Sequence, residues 1–398
     1  MPFTRIIVGA LLMTIVLGAV HFYLWRRLIR DIQLPPRWHR ILSIGLALAL
    51  LSQPLLFVFG RTLPREVISP FAFAGYVWLG MLSTYFSLTG PPDFVRSMFH
   101  RVAQLFKKNR VQDQPDPEKR QALKRFFAGG VFASGAALGA TSVNNALDGF
   151  RIKKIEIALS KLPHAFDGFR IVQLSDIHVG PTLGKDFVSK IVETANSLEP
   201  DLIAITGDLV DGTVENLGRH TAPLVNLKSE FGSFFVTGNH EYYSGVEQWV
   251  EEVERLGITH LRNQRVTIRR NSESFLLAGV TDFRAGRYGD APDLAFTLRD
   301  RKPHEEVVLL AHQPREIDNA KKLDVGLQLS GHTHGGQFWP WSWVIHLIEP
   351  VVSGWAQFAR TQIYVNSGTG YWGPPMRMGT ESEITLITLR SRPEKSTI

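Results

Sequence analysis

The run Phe169-Arg-Ile-Val-Gln-Leu174, followed at once by Ser175-Asp176-Ile-His178, sets the pattern for this chain. A short apolar segment of strand type ends on side chains that bind metals or move protons. The same ending recurs four times. Residues 202–206 lead into Gly207-Asp208, 233–237 into Gly238-Asn239-His240-Glu241, 307–311 into His312, and 327–330 into Gly331-His332-Thr333-His334-Gly335. Short apolar runs of this kind make buried strands. Helical patterns lie between several of them, with Phe187, Ile191, Ala195 and Leu198 on one face and Val246, Val250, Val253 and Leu256 on another. Strands alternating with helices predict an α/β domain, whose functional groups gather where strands run into loops at their carboxyl ends.

Taken singly, an Asp-x-His or His-x-His is more often an ordinary loop or a core histidine. The order and residue types of all five clusters carry the argument, and they fit a two-metal hydrolase. Each of two divalent ions takes several nitrogen and oxygen ligands, and a shared carboxylate holds them roughly 3.5–4 Å apart. Asp208 is the natural bridge. Alternate residues at a strand end point the same way, so Asp176 and His178 can reach one ion, while His332 and His334, in a turn, can diverge to different ions. Imidazole, carboxylate and amide donors favour manganese, iron or zinc over magnesium or calcium. Gly207, Gly238, Gly331 and Gly335 let the backbone turn tightly beside a substrate.

In this order, D-x-H, G-D, G-N-H-[DE], a lone His and G-H-x-H resemble the calcineurin-like metallophosphoesterase superfamily, and the form GHTHGGQ resembles its membrane-associated bacterial branch. The resemblance covers roughly residues 152–389 and not the apolar region before them. It implies a four-layer α/β/β/α sandwich with a dinuclear site at one edge. It also implies that Asp176, His178, Asp208 and His334 hold one ion and Asp208, Asn239, His312 and His332 the other. His240 is left for acid-base work: a metal-bridging hydroxide would attack phosphorus in line while His240 protonates the leaving oxygen. Glu241 is placed to orient His240, and Asp211 and Gln337 are close enough in sequence to support the ligands.

The remaining features locate this site. Residues 1–150 of the 398 read as a transmembrane anchor and 151–398 as the catalytic domain. Apolar stretches at 6–25, 41–60, 67–89 and 126–143 approach or exceed the roughly 20 residues that cross a bilayer. The last, with Gly129, Gly130, Gly135 and Gly139, suits close helix packing, although a flexible linker is the alternative. Arg26-Arg27 follows the first stretch where a cleaved leader would have small residues. Arg26, Arg27, Arg30, Arg37 and Arg40 lie in the first loop, only Arg61 and Arg65 in the second, and Arg96, Arg101, Lys107, Lys108, Arg110, Lys119, Arg120, Lys124 and Arg125 in the third. By the positive-inside rule the first and third loops are cytoplasmic. Four spans then predict a multi-pass protein of the inner (cytoplasmic) membrane with its catalytic domain on the outer, periplasmic side; if 126–143 does not span, the domain is cytoplasmic. Residues 112–118, with Pro115 and Pro117, read as an exposed part of the third loop.

Several function classes drop out. The spans carry no Asp, Glu, Lys or Arg to line a transport path, and a degenerate scaffold would have lost ligands that are all present here. Without cysteine there is no disulfide framework or thiolate site. The net charge of +7 sits largely in loops beside apolar stretches, which favours anionic headgroups over nucleic acid; no protein partner is inferred. Gly368-Thr-Gly370-Tyr-Trp-Gly373 matches GxGxxG, but Pro374-Pro375 forbids the helix of a dinucleotide site, leaving a loop near the centre. His164, His220, His260, His304 and His346 lack ligand spacing and read as surface or packing residues, and Arg377 reads as a solvated arginine. Trp339, Trp341, Trp343 and Trp355 closely follow the last ligand. Tryptophan favours the bilayer interface, so the expected substrate is a phosphodiester or pyrophosphate that is lipid-linked or in the envelope. The alternatives are a protein phosphatase or a soluble nucleotide phosphodiesterase using the same centre.

Overall fold

The computed structural model describes residues 3–60, 63–105 and 116–391, and divides into two compact units, Met1–Asn144 with Pro374–Met376 and Asn145–Gly373 with Arg377–Ile398. Arg61, Lys107, Lys108, Arg110 and residues 112–115, assigned above to loops, lie outside the described residues.

The first unit is helical: α1 (Phe3–Trp25), α2 (Pro36–Phe59), α3 (Arg65–Leu105) and α4 (Pro117–Leu147). All four are long and apolar enough to cross a membrane. They overrun the apolar stretches of the sequence. α3 continues through Pro91 and Pro92 to Leu105, so Arg96 and Arg101 ride on helix and not in a loop. α4 begins at Pro117, a residue suited to a first turn because its missing N–H needs no partner there, and Lys119, Arg120, Lys124 and Arg125 ride on it too. Arg27 donates to Asp93 at 2.7 Å, and the Tyr23 hydroxyl donates to the same carboxylate.

The second unit contains two six-stranded sheets. In the first the order is β1 (Phe150–Leu159), β12 (Ser382–Ser391), β2 (Arg170–Leu174), β3 (Leu202–Ile205), β4 (Ser233–Phe235) and β5 (Thr259–His260). In the second it is β10 (Gly354–Phe358), β11 (Thr361–Val365), β9 (Leu327–Ser330), β8 (Val307–Leu310), β7 (Glu273–Gly279) and β6 (Gln264–Arg270). The five apolar runs of the sequence are β2, β3, β4, β8 and β9. Of the other seven, β7 carries an apolar run, Phe275-Leu-Leu-Ala-Gly279, but no ligand-type cluster follows it; the remaining six are short or mix polar with apolar residues.

Period-two alternation of side chains sets the layers. Phe169, Ile171, Leu202, Ala204 and Phe234 from the first sheet pack in one core with Phe275, Leu277, Val308, Leu310, Leu327 and Leu329 from the second. The opposite face of the first sheet, through Val172, Leu174, Ile203 and Ile205, packs on α5 (Lys185–Ser197), α6 (Val214–Thr221) and α8 (Val246–Arg255). The outer face of the second covers the short helices around Leu294 and Ile317. The result is the α/β/β/α sandwich. On α8 the buried stripe is rotated from its sequence reading: Val246 and Val250 are half-buried, whereas Trp249 is fully enclosed and donates from its indole to the Gly212 carbonyl at 2.8 Å.

Within the first sheet β2, β3 and β4 run parallel, and within the second so do β7, β8 and β9. All five ligand-type clusters follow the carboxyl ends of these strands. Trp249→Ala removes a large enclosed side chain and a hydrogen bond, and should destabilise the catalytic unit by about 3–5 kcal/mol. A lowered urea midpoint of the detergent-solubilised protein checks this; an unchanged midpoint refutes it.

Candidate metal centre

The loops that leave these strands are stitched to one another. Asp176 N–H donates to the Gly207 carbonyl, His178 N–H to the Asp208 carbonyl, and Gly331 N–H to the His312 carbonyl, each near 3 Å. Asp176, His178, Asp208, His332 and His334 all have φ between +51° and +72°. That left-handed conformation costs about 1–2 kcal/mol per residue, and Asp and His are among the residue types that tolerate it. Strain gathered at one place marks a functional site. No side chain longer than hydrogen fits at Gly331, where an added Cβ would collide with Ser175 Oγ and Asp176 Oδ2.

Three overlapping groups have their donor atoms within metal-ligand reach: Asp176, His178 and His334; His178, Asp208 and His240; and Asp208, His312 and His332. All of these side chains are buried except that of His332, which is half-buried. His178 Nε2 lies 3.1 Å from His334 Nε2, and His312 Nε2 lies 3.1 Å from His332 Nδ1. Asp208 stands between the pairs, its Oδ2 being 3.1 Å from His312 Nε2, 3.8 Å from His178 Nε2 and 3.9 Å from His240 Nε2. Asn239, next to His240, is buried, and its Oδ1 has no hydrogen-bond partner among the described residues. An orphaned amide oxygen beside facing imidazole nitrogens is what a cation would satisfy. The donor set is nitrogen and hard oxygen, which suits divalent manganese, iron or zinc.

The electrostatics agree. Burial alone would raise the Asp208 carboxyl, but His312, His240 and His178 around it outweigh that and hold it well below the usual range. Burial raises Asp176. For His312, burial opposes the charged form, yet Asp208 wins and lifts it well above an ordinary histidine. Burial, then the neighbouring His312, pushes His332 down to about 3, and burial with His178 lowers His334. Left to protons alone, the centre would recruit positive charge onto some rings and keep others as neutral lone-pair donors.

Asp211, three residues after Asp208, has a larger role than its sequence position suggests. Its Oδ1 is 2.5 Å from His240 Nδ1 and its Oδ2 is 3.1 Å from His178 Nδ1, so one carboxylate orients both rings. Burial opposes the charge on His240, but Asp208 and Asp211 raise it to about 9. Glu241, expected to orient His240, instead accepts the backbone N–H groups of Gly238 (2.6 Å), Leu209 (2.8 Å) and Asp208 (3.1 Å), tying the β3 loop to the β4 loop. Its first neighbours are backbone amides because it sits at the first turn of α7 (Asn239–Ser244).

Arg377 is fully enclosed and not solvated. It donates to the carbonyls of His334, Ser367 and Gly370, clamping the GHTHGG turn to the 367–370 loop. Gln337 pairs through its amide with both backbone groups of Trp372, whose ring centroid is 5.5 Å from that of His240. The GxGxxG segment is therefore part of this loop at the centre. His220 and His260 are buried in packing and His164, His304 and His346 are exposed; none joins a group of potential ligands among the described residues.

Comparisons with known proteins extend the picture. Residues 169–336 match the model of the calcineurin-like phosphoesterase family. A Danio rerio protein described as a transmembrane protein with metallophosphoesterase domain is 34% identical over 394 residues, covering 92% of this chain and 86% of that one. The Bos taurus protein of the same description is 33% identical over 402 residues, covering 95% and 87%. An uncharacterized metallophosphoesterase of Helicobacter pylori J99 is 39% identical over 276 residues, covering 69% and 73%. The first two matches run beyond the catalytic domain into the apolar helices, where the motifs alone gave no resemblance, and they reach outside bacteria.

Asp211→Asn removes the acceptor that both His178 and His240 face. It should weaken metal affinity about 10–100-fold, measured by competition with a chelating dye. Unchanged affinity would show that Asp211 positions nothing.

Proposed function

The chain belongs to the calcineurin-like metallophosphoesterases, membrane-associated here by its apolar helices, and from that membership we propose a dinuclear phosphodiester or pyrophosphate hydrolase acting on a lipid-linked or envelope substrate. The observation that carries this reading is the meeting of two ligand sets on one enclosed carboxylate, Asp208, with the unpartnered Asn239 Oδ1 beside it.

In this proposal Asp176, His178 and His334 would hold one divalent ion and Asn239, His312 and His332 a second, with Asp208 available to both. Such ions supply positive charge to the phosphoryl oxygens and make water acidic enough to attack phosphorus. The protein does the rest. Asp211 fixes the His240 ring through Nδ1, which leaves Nε2 with a proton for the leaving oxygen as the phosphorus–oxygen bond breaks. Asp176, Asp208 and Glu241 are buried away from water, so their charges act more strongly than they would in solvent. Glu241 and Arg377 keep the loops at fixed separation without touching the reacting atoms. Such positioning matters because small misplacements of reacting groups are costly in rate.

The lipid preference rests on a surface of the catalytic unit. The short helix Trp341–His346 buries none of its side chains, and Trp343 and Leu347 are 67% and 88% exposed. With Trp341, Val344 and Ile348 they form an exposed apolar patch, a feature that marks membrane or partner contact when it is contiguous, and tryptophan favours the bilayer interface. The same proposal has the chain multi-pass in an inner membrane with its catalytic unit on the periplasmic side; the support is the positive-inside rule applied to the basic residues between the first and second and between the third and fourth apolar stretches. A reporter fused at the C-terminus that is active only in the cytoplasm would overturn that orientation.

Hydrolysis of bis-4-nitrophenyl phosphate should stop with chelator, return with manganese and be abolished in Asp208→Asn, while His240→Gln keeps its metal and loses about 10²–10⁴-fold in kcat. Metal-independent turnover would defeat the reading. Replacing Trp341, Trp343 and Leu347 together by serine should cut turnover of a phosphodiester lipid in vesicles at least about tenfold more than that of the soluble diester, since removing three interfacial anchors weakens membrane partitioning. Equal losses on the two substrates would remove the membrane role from this helix.

A further inference from the structure

A small open pocket of about 40 Å³ adjoins the centre, lined by Asn239, Tyr243, Asp282, Arg284, Arg287 and Tyr288. Asn239 is a candidate ligand, and the Tyr243 ring centroid is 5.2 Å from that of His240, so the cavity borders the centre through these two residues. Its far wall is the loop after β7, whose one-turn helix spans Ala285–Tyr288.

That loop is held from both sides. Asp282 accepts from the Gln313 amide at 2.8 Å, next to His312, and from its own loop at the Arg284 N–H. Tyr288 packs on Tyr242, whose hydroxyl donates to Asp290 at 2.5 Å. Asp290 also pairs with Arg262 at 3.0 Å. Asp290 is thus engaged elsewhere, and Asp282, in the cavity wall, has both carboxylate oxygens in hydrogen bonds. The Arg284 and Arg287 side chains are exposed, and neither makes a hydrogen bond or ion pair with the described residues. Two unspent guanidinium forks beside a phosphoryl-binding centre are a strong anion trap, because each offers paired donors matched to phosphate oxygens.

We propose that this cavity is a second phosphate subsite, in which Arg284 and Arg287 bind the phosphoryl group joined to the scissile one, and that the enzyme's substrates are therefore diphosphates. Tyr243 and Tyr288 form the walls beside that group. Hydrolysis then adds water across the P–O–P bond: the attacking oxygen bonds to the phosphorus at the centre, and the second phosphate leaves through the arginine subsite with the proton from His240.

The inference rests on the phosphoesterase reading, and its test separates the two. Full-length protein in detergent with manganese is assayed on thymidine 5′-diphosphate-glucose and on the 4-nitrophenyl ester of thymidine 5′-monophosphate, as unaltered protein and as Arg284→Ala, Arg287→Ala and the double variant. The expected result is that kcat/KM for the diphosphate falls at least about tenfold more than for the monophosphate ester in each single variant, with a larger gap in the double, since a hydrogen bond to a charged group is worth a factor of about ten or more. Arg284→Lys and Arg287→Lys should recover part of the loss. Equal losses on the two substrates, or none on the diphosphate, overturn the subsite. If the unaltered protein turns over neither substrate, the phosphoesterase reading is what fails. The subsite is then judged by titration calorimetry of methylenediphosphonate against methylphosphonate on the manganese-loaded protein. Tighter binding of the diphosphonate that vanishes in the double variant supports it, and no preference overturns it.

Discussion

Everything at this centre depends on one enclosed carboxylate. Asp208 lies where the two sheets meet, with the nitrogens of His178, His240 and His312 within 4 Å of its Oδ2. A buried carboxylate without compensation is costly, and in a dry interior that cost is met by cations or by hydrogen bonds. Here the histidines supply part of the answer, and the backbone N–H of His240 donates to its other oxygen at 2.9 Å. The geometry leaves room for more positive charge than protons on imidazole provide, which is the physical meaning of a metal site.

Holding such groups together has a conformational cost. Five residues of the centre sit in the left-handed region, and the loops that carry them are fixed by a lattice of backbone hydrogen bonds, by Glu241 on three amides and by the enclosed guanidinium of Arg377 on three carbonyls. The double sandwich makes this affordable in structural terms, because its inter-sheet core anchors both sets of parallel strands at the same edge. The surface beyond the centre is specialised in a different way, with apolar Trp343 and Leu347 on and just after one short helix, and Arg284 and Arg287, which pair with none of the described residues, on the loop after β7.

Much of this was legible in the chain. The runs ending at Leu174, Ile205, Phe235, Leu310 and Ser330 are strands because a strand buried on both faces must be apolar throughout. β6 is masked because it alternates with polar residues, β7 because no ligand-type cluster follows its apolar run Phe275–Gly279, and β1, β10 and β12 because pairing at or near a sheet margin relaxes that demand. The overrun of α3 past Pro91 and Pro92 was hidden by proline, whose usual helix-breaking effect does not apply when neighbouring contacts sustain the helix. Among site residues the ligand types were plain from their spacing. The exchange of roles between Asp211 and Glu241 was not, because adjacency in sequence to His240 favoured Glu241 while the ring points the other way.

The sequence by itself determined which residues are available to a metal centre and that they follow strands, since residue type and period are local properties of the chain. It also determined that four segments are apolar enough to cross a membrane. Only the tertiary structure decided which nitrogens face which oxygens, that Asp211 serves two histidines at once, that Arg377 is enclosed, and that Arg284 and Arg287 line one pocket with Asn239. Those are contacts between residues 29 to 156 positions apart in the cases of His240 with Asp211 and His178 with His334. No periodicity of the chain encodes such distances; the packing of one sheet on the other does.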